Sequence, residues 1–172
     1  ALASRNALEM LVTYFACARA GLICMPVNLG LRANEIAFCL RDAKARVMIA
    51  EAALQEMVQV AMKEGPDELQ RVFWFGAEAV SPQEDFDKLL QSGSDAPLEV
   101  FVGDRDIVQL LYTSGTTANP KGVLTSHLAV TMAGLSNAIG HQCGPDSVAL
   151  VGLPLFHCAM LNSVTMPFLI VG

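Results

Sequence analysis

The chain has 172 residues, of which 53% are hydrophobic and 16% are charged, and its net charge is −6 at pH 7. This length corresponds to one domain that can bury a sizeable core, and the composition is more apolar than that of most soluble domains. Because the sequence contains no cluster of basic residues, it argues against nucleic-acid binding.

Five cysteines lie scattered in apolar contexts. Their odd number predicts small buried side chains in a reducing compartment instead of a disulfide framework, so we expect a cytoplasmic location. Histidines and cysteines near positions 141–143 and 157–158 suggest a metal cluster as an alternative. They lack the usual C-x-x-C pairing, and no metal ligand is predicted.

Residues 148–172 carry no formal charge, but two prolines, a histidine and an asparagine interrupt them, which argues against a transmembrane segment.

Helices alternate with short apolar strands along the first half of the chain. Asn6 and Glu9 have the spacing of a capping box and predict the start of an amphipathic helix that ends at Gly21. A second helix is predicted to begin near Arg32. The other predicted elements are strands over residues 22–27, 46–50 and 71–75 and a helix over residues 52–63. This order predicts an α/β fold with a largely parallel sheet flanked by helices.

Residues 77–106 interrupt that order. They hold eight of the 17 acidic residues, opposed by Lys88 and Arg105, and polar turns bracket a short predicted helix around Phe86. We interpret this stretch as an acidic excursion on the surface. Beyond it, the pattern predicts strands over residues 107–112, 123–125 and 147–151, and helices over residues 127–139 and 159–170.

Residues 110–124 contain a cluster of hydroxyl side chains and glycine followed by a Pro-Lys-Gly turn. Backbone amides beside small residues, with hydroxyl donors and one lysine, form a typical binding site for a polyphosphate. An ordinary polar hairpin turn is the alternative interpretation. The spacing differs from the G-x-x-x-x-G-K-[ST] loop of other nucleotide-binding proteins, because the lysine follows a proline and precedes a glycine. The predicted phosphate-binding residues are Thr113, Ser114, Gly115, Thr116, Thr117 and Lys121.

This segment resembles the phosphate loop of the adenylate-forming, or AMP-binding, enzymes. Their motif Thr-Ser-Gly-Thr-Thr-Gly-x-Pro-Lys-Gly is matched here except at Ala118, where glycine is usual. The chain is also similar to the family at its start, over residues 4–28, and at residues 153–157, which resemble a second family motif. The resemblance covers nearly the whole chain and is closest to acyl-CoA synthetases, including fatty-acid–CoA ligases.

The resemblance implies a reaction in two steps. A carboxylic acid attacks the α-phosphate of ATP to give an acyl-adenylate, and coenzyme A then displaces AMP. It implies that ATP, Mg2+, coenzyme A and a small-molecule carboxylic acid bind, with Thr113 to Thr117 and Lys121 at the β- and γ-phosphates. It also implies that His157 borders the acyl and pantetheine pocket, although a histidine in an apolar stretch is ordinarily a core residue. The residues Met160, Leu161, Val164 and Met166 favour a fatty or aromatic acid unless they belong to the core.

The resemblance further implies that residues 1–172 are a fragment of the large N-terminal domain. The family's catalytic lysine lies in a C-terminal domain beyond Gly172, so no catalytic residue is predicted within the chain, and the fragment alone is expected to be inactive. Two alternatives remain open at this point: an adenylation domain that loads a carrier protein, and a non-catalytic nucleotide-binding module. The sequence leaves homo-oligomerisation open.

Overall fold

A computed structural model describes residues 1–76, 84–113 and 119–172. Strands and helices alternate in it through the first half, as the apolar periodicity predicts. In chain order the described elements are β1 (Leu2–Ala3), α1 (Leu8–Arg19), α2 (Ala33–Asp42), β2 (Val47–Glu51), α3 (Gln55–Lys63), β3 (Arg71–Phe75), α4 (Phe86–Gln91), β4 (Ile107–Thr113), β5 (Lys121–Ser126), α5 (His127–Gly140), α6 (Cys158–Met160), a π-helical stretch (Leu161–Thr165) and α7 (Met166–Val171).

Three of the strands form a parallel sheet in the order β1-β2-β3. Ile49 in the middle of β2 lies opposite Leu2 on one side and Phe73 on the other, and all three side chains are buried. Strands that are covered on both faces are uniformly apolar, which explains why these segments lack the alternation of a half-exposed strand.

An extended segment at Cys24 and Pro26 joins this sheet to the hairpin of β4 and β5. The Leu2 amide donates to Met25 O at 2.9 Å, and the Leu110 amide donates to Cys24 O at 2.9 Å. The bridges on both sides of the segment are parallel. Strands β1, β2 and β4 therefore run in the same direction and end at one edge of the sheet, which we call the carboxyl edge.

Helices cover both faces of the joined sheet. One apolar cluster contains Met10 and Tyr14 of α1 together with Met160, Leu161 and Met166 near the end of the chain. The other cluster lies against α2 and α3 and is built from Ile36, Leu40, Met48, Val58 and Trp74, among others. The predicted fold class, an α/β protein with a parallel sheet flanked by helices, is confirmed.

Several local predictions are wrong. Residues 22–27, predicted as a strand, make isolated bridges at Cys24 and Pro26 and no regular strand, and Lys121 and Gly122 of the predicted turn lie in β5. Residues 147–151 form no strand, and Val148 and Leu150 are 94% and 88% exposed, because no described strand lies beside them to complete a ladder. Asn6 does not cap α1. The N-cap is Ala7, which makes no side-chain cap hydrogen bond, because the Asn6 amide is engaged elsewhere.

The acidic stretch is described only from residue 84 onward, since residues 77–83 lie outside the described part. Most of residues 87–106 are exposed, whereas Phe86 is buried and its ring lies 6.0 Å from that of Phe75. Within the described ranges, no helix combines the length and apolar character needed to cross a membrane.

Candidate functional site

The hairpin of β4 and β5 carries the predicted phosphate loop. Thr113 ends β4 and pairs with Lys121, which begins β5, and both side chains are exposed. The Thr113 hydroxyl donates to the backbone oxygen of Lys121 over a long 3.4 Å, so both side chains remain available to a ligand. The predicted residues Ser114, Gly115, Thr116 and Thr117 join these two strands in sequence and lie outside the described residues.

The stem of the hairpin is tied to helix α2 by a polar contact. The Tyr112 hydroxyl donates to Asp42 Oδ2 at 2.6 Å. Burial and this hydrogen bond to a carboxylate both raise the pKa of the Tyr112 hydroxyl. Opposite Tyr112 in the ladder lies Gly122, where an added Cβ would be 3.3 Å from the Tyr112 ring and 2.9 Å from Leu110 Cδ1. An alanine at this position would require the Tyr112 ring to shift by a few tenths of an ångström, whereas the Leu110 methyl is the end of a flexible side chain.

A second set of polar residues lies at the carboxyl edge, after β1 and β2. Arg5 donates from its backbone amide to Glu51 Oε2 at 2.9 Å and from Nε to Oε1 at 2.9 Å, and its Nη2 also contacts Oε1. The side-chain hydrogen bonds from Arg5 are the main reason that the pKa of Glu51 is lowered. The chain is thus fixed directly before Asn6.

The Asn6 side chain forms hydrogen bonds with a segment almost 150 residues further along the chain. Its Nδ2 donates to Leu153 O at 2.9 Å and to Val151 O at 3.4 Å, and its Oδ1 accepts from the Leu155 amide at 2.8 Å. Sequence reasoning missed this contact. The signal that could have found it is a polar residue directly after a buried parallel strand, where binding residues concentrate in open α/β sheets.

His157 lies directly after this segment. Its Nδ1 accepts from the Ala159 amide at 3.2 Å and so caps α6, and its backbone amide donates to Pro154 O at 3.1 Å. An Nδ1 that accepts a hydrogen bond places the proton of the neutral ring on Nε2. The side chain is exposed, so the ordinary interpretation of a buried core histidine is wrong for this residue.

The residues that favoured an apolar acid pocket lie in the core instead. Met160, Leu161 and Met166 are at most 5% exposed, and Val164 packs against the same cluster. Their apolar character is explained by packing, and they carry no information about the substrate.

A cavity of about 970 Å3 is present, but it does not coincide with this site. It is lined by α1, the segment before Met25 and the stem of the hairpin, including Tyr112 and Gly122. Thr113, Lys121 and His157 are not among its lining residues. The chemistry of the carboxyl edge, and not the size of the cavity, therefore identifies the candidate site.

The phosphate hairpin and the His157 segment share the carboxyl edge. One extended segment separates β1 from β4, so their ends lie about 10 Å apart by the usual spacing of strands. Ligands of open α/β sheets bind in this position, outside the carboxyl ends of the strands.

Comparison with known proteins identifies the family of the chain. Residues 1–172 match the family described as AMP-binding enzyme. The indoleacetate–CoA ligase of Aromatoleum aromaticum is 34% identical over 178 residues, which cover 97% of this chain and 32% of that protein. The long-chain-fatty-acid–CoA ligase FadD13 of Mycobacterium tuberculosis is 30% identical over 164 residues, or 95% of this chain and 31% of that protein.

Among solved structures, ATP-bound MatB from Rhodopseudomonas palustris aligns with a TM-score of 0.80 and 25% identity. The alignment covers 99% of this chain and 33% of that one. The chain thus spans about a third of the length of the proteins it matches. With the family pattern matched from end to end, the chain belongs to the AMP-binding, or adenylate-forming, enzymes, and the relatives named here are acyl-CoA ligases.

Proposed function

We propose that the complete protein activates a carboxylic acid with ATP and transfers the acyl group to coenzyme A. Family membership supports this proposal, and two named relatives are acid–CoA ligases. Since the chain spans about a third of their length, the activity is assigned to the whole protein. We propose that residues 1–172 form part of its N-terminal domain and are inactive alone, with the acidic stretch 77–106 as a surface excursion.

The observation that carries the proposal is the pairing of Thr113 with Lys121 at the end of the hairpin. Their exposed side chains flank the sequence Ser-Gly-Thr-Thr, which supplies small residues and hydroxyl donors. We assign Thr113, Ser114, Gly115, Thr116, Thr117 and Lys121 to the β- and γ-phosphates of ATP. Lys121 is the single lysine or arginine after position 106, so no other permanently positive side chain in this part of the sequence can replace it.

In the first step, a carboxylate oxygen forms a bond to the α-phosphorus, and the bond from that phosphorus to the bridging oxygen breaks. Pyrophosphate leaves with the additional negative charge. Oriented amide and hydroxyl donors and the Lys121 ammonium stabilise this charge without reorganisation, which lowers the barrier. In the second step the thiol of coenzyme A attacks the acyl carbon and AMP leaves.

Mg2+ is the metal ion that phosphate transfer from ATP usually requires. Over residues 1–76, 84–113 and 119–172, no three His, Cys, Asp or Glu side chains lie together in a way that could hold a metal ion. Mg2+ prefers phosphate oxygens with one or two carboxylates, so we propose that Mg2+ accompanies ATP and that its protein ligands lie outside this part of the chain.

We propose that His157 borders the pocket for the acid and the pantetheine of coenzyme A. Its exposure at the carboxyl edge supports this role, because the ring is free to face a ligand.

A fatty or aromatic acid is the proposed substrate class, supported only by the names of the relatives, which act on indoleacetate and long-chain fatty acids. The free thiols support a cytoplasmic location.

Acid-dependent exchange of pyrophosphate into ATP by the complete protein tests the proposal. Exchange with fatty or aromatic acids, followed by AMP release upon addition of coenzyme A, is the expected result. AMP release with a phosphopantetheinyl carrier protein, but not with coenzyme A, would identify a carrier-loading domain instead. If the protein binds ATP but no acid supports pyrophosphate exchange, the protein is a non-catalytic nucleotide-binding module.

A further inference from the structure

Asn6 is the residue through which the first strand of the sheet holds the segment before His157. All three of its side-chain hydrogen-bond partners are backbone atoms of residues 151–155. The amide both donates and accepts, so the segment is fixed in direction as well as in position. We propose that Asn6 is a positioning residue that places His157 at the acid and thiol pocket, a role that rests on the proposed function.

The backbone directly before Asn6 is held at the end of strand β2. Arg5 is bound to Glu51 there through both its backbone and its side chain. Two parallel strands therefore fix the chain at residue 5. The Asn6 side chain itself is exposed, so these contacts hold the backbone that carries it, which lowers part of the entropy cost of its hydrogen bonds.

The hydrogen bond at Leu155 constrains His157, which lies two residues further along the chain. Leu155, whose amide binds Asn6, is 3% exposed and belongs to the same core cluster as Met10. The His157 amide then closes a turn onto Pro154 O, and the His157 ring caps the following helix. Each contact in this path lies among described residues, and together they set the direction of the His157 ring.

The segment has few other polar anchors at its amino end. Val148 and Leu150 are almost fully exposed, so their side chains add no core packing, and the first residue of the segment that packs against the core cluster is Val151. Loss of the Asn6 amide removes the hydrogen bonds at Val151, Leu153 and Leu155 at once, and we expect His157 to move while the core below it remains.

Among the described residues, no hydrogen bond of this path involves β4 or β5, and the two share only the core cluster that contains Leu155 and Val108. Thr113 and Lys121 lie on β4 and β5, and the hairpin is joined to α2 through Tyr112 and Asp42. Kinetic measurements can therefore distinguish an effect on the His157 segment from an effect on the phosphate hairpin. A change at Asn6 affects the binding and reaction of the acid and the thiol, whereas the KM for ATP stays within about twofold.

The kinetic test uses the complete enzyme with Asn6→Ala and the nearly isosteric Asn6→Asp, which keeps an acceptor for Leu155 but removes the donors to Leu153 and Val151. Both variants should raise the KM for the acid or coenzyme A, and lower thioester formation, by about tenfold or more, since misplacement by about 1 Å costs up to about 100-fold. Asn137→Ala is the matched control, because within the described ranges the Asn137 side-chain amide donates locally, to Ala133 O in the same helix α5.

A merely structural role predicts a different pattern. Fewer folded molecules would lower adenylation and thioester formation by the same factor and leave every KM unchanged. That uniform loss would overturn the proposal, and so would wild-type kinetics in both variants.

A spectroscopic measurement separates this proposal from the proposed function. Nitrogen-15 spectra of the three histidines report the tautomer of each neutral ring, and we expect His157 to carry its proton on Nε2. Asn6→Ala should shift the His157 signals towards a mixture of tautomers, whereas Asn137→Ala should not. An unchanged His157 spectrum in Asn6→Ala contradicts the positioning role even if the protein has no ligase activity, and absent wild-type exchange contradicts only the function.

Discussion

The Tyr112 hydroxyl donates a hydrogen bond to the carboxylate of Asp42 at 2.6 Å, and so links the hairpin of the proposed phosphate loop to the end of helix α2. The two residues are 70 positions apart in sequence. Tyr112 directly precedes Thr113, so this contact fixes the strand at the point where the loop departs.

The titration of the two tyrosines tests this contact. Burial raises the pKa of Tyr14, and burial together with Asp42 raises that of Tyr112, so neither should ionise near pH 10 in the folded protein. The unfolded state then releases protons first, and stability should fall as the pH rises above about 10. Tyrosinate absorbance near 295 nm measures the ionisation of both tyrosines as the pH is raised.

Asp42→Asn is the informative variant for this titration. It removes the negative charge and the strongest acceptor, so one tyrosine, Tyr112, should ionise at lower pH while Tyr14, which donates to Gln109, stays unchanged. A titration identical to the wild type would show that Asp42 does not act on Tyr112 in solution.

Gly122→Ala should destabilise the hairpin although alanine is normally the better strand residue. The new Cβ would stand 2.9 Å from Leu110 Cδ1 and 3.3 Å from the Tyr112 ring, and Asp42 prevents the ring from moving freely. We expect a loss of about 1 kcal/mol in the free energy of unfolding, measured with urea. In a Tyr112→Ala background the contact with the ring is absent, so the same change should cost less, and an undiminished loss would contradict the packing argument.

Cys17 should react with iodoacetamide at lower pH than an ordinary thiol. A hydrogen bond from the Cys24 thiol lowers the pKa of Cys17, and burial only partly opposes it. Burial raises the pKa of Cys39 to about 12, so Cys39 serves as the slow internal reference. Peptide mass spectrometry at pH 7 to 9 should show Cys17 labelled well before Cys39, because only the thiolate reacts.

Cys24→Ala provides the control for the Cys17 prediction. Without the donor, the labelling curve of Cys17 should move to higher pH. A curve that does not move would assign the reactivity of Cys17 to a cause other than its neighbour.

Elements that are determined locally could be predicted from the sequence. The apolar runs of β2, β3 and β4 mark their own positions, and the alternation of elements indicates the parallel sheet. The predicted Pro-Lys-Gly turn is not local in this sense, because Lys121 and Gly122 pair with β4 and belong to β5. The acyl-CoA ligase relatives agree with the resemblance carried by residues 112–123.

Contacts between distant segments could not be predicted in this way. Asn6 and Glu9 have the spacing of a local cap, but a partner at Leu155 competes for the amide, and no local pattern reports that partner. The strand expected at residues 147–151 requires a neighbour to pair with, which sequence periodicity does not reveal. Likewise, Met160 and Leu161 are apolar whether they line a pocket or a core, and only the packing distinguishes the two.

Acid-dependent pyrophosphate exchange by Lys121→Ala in the complete enzyme tests the central claim most directly. Removal of a charged donor to the departing phosphates should cost about 2 to 4 kcal/mol, or a loss of exchange of roughly 30-fold to 1,000-fold. Lys63→Ala, which removes an exposed lysine at the end of α3, should exchange as the wild type does. Unchanged exchange by a folded Lys121→Ala enzyme would contradict the assignment of this hairpin to the phosphates of ATP.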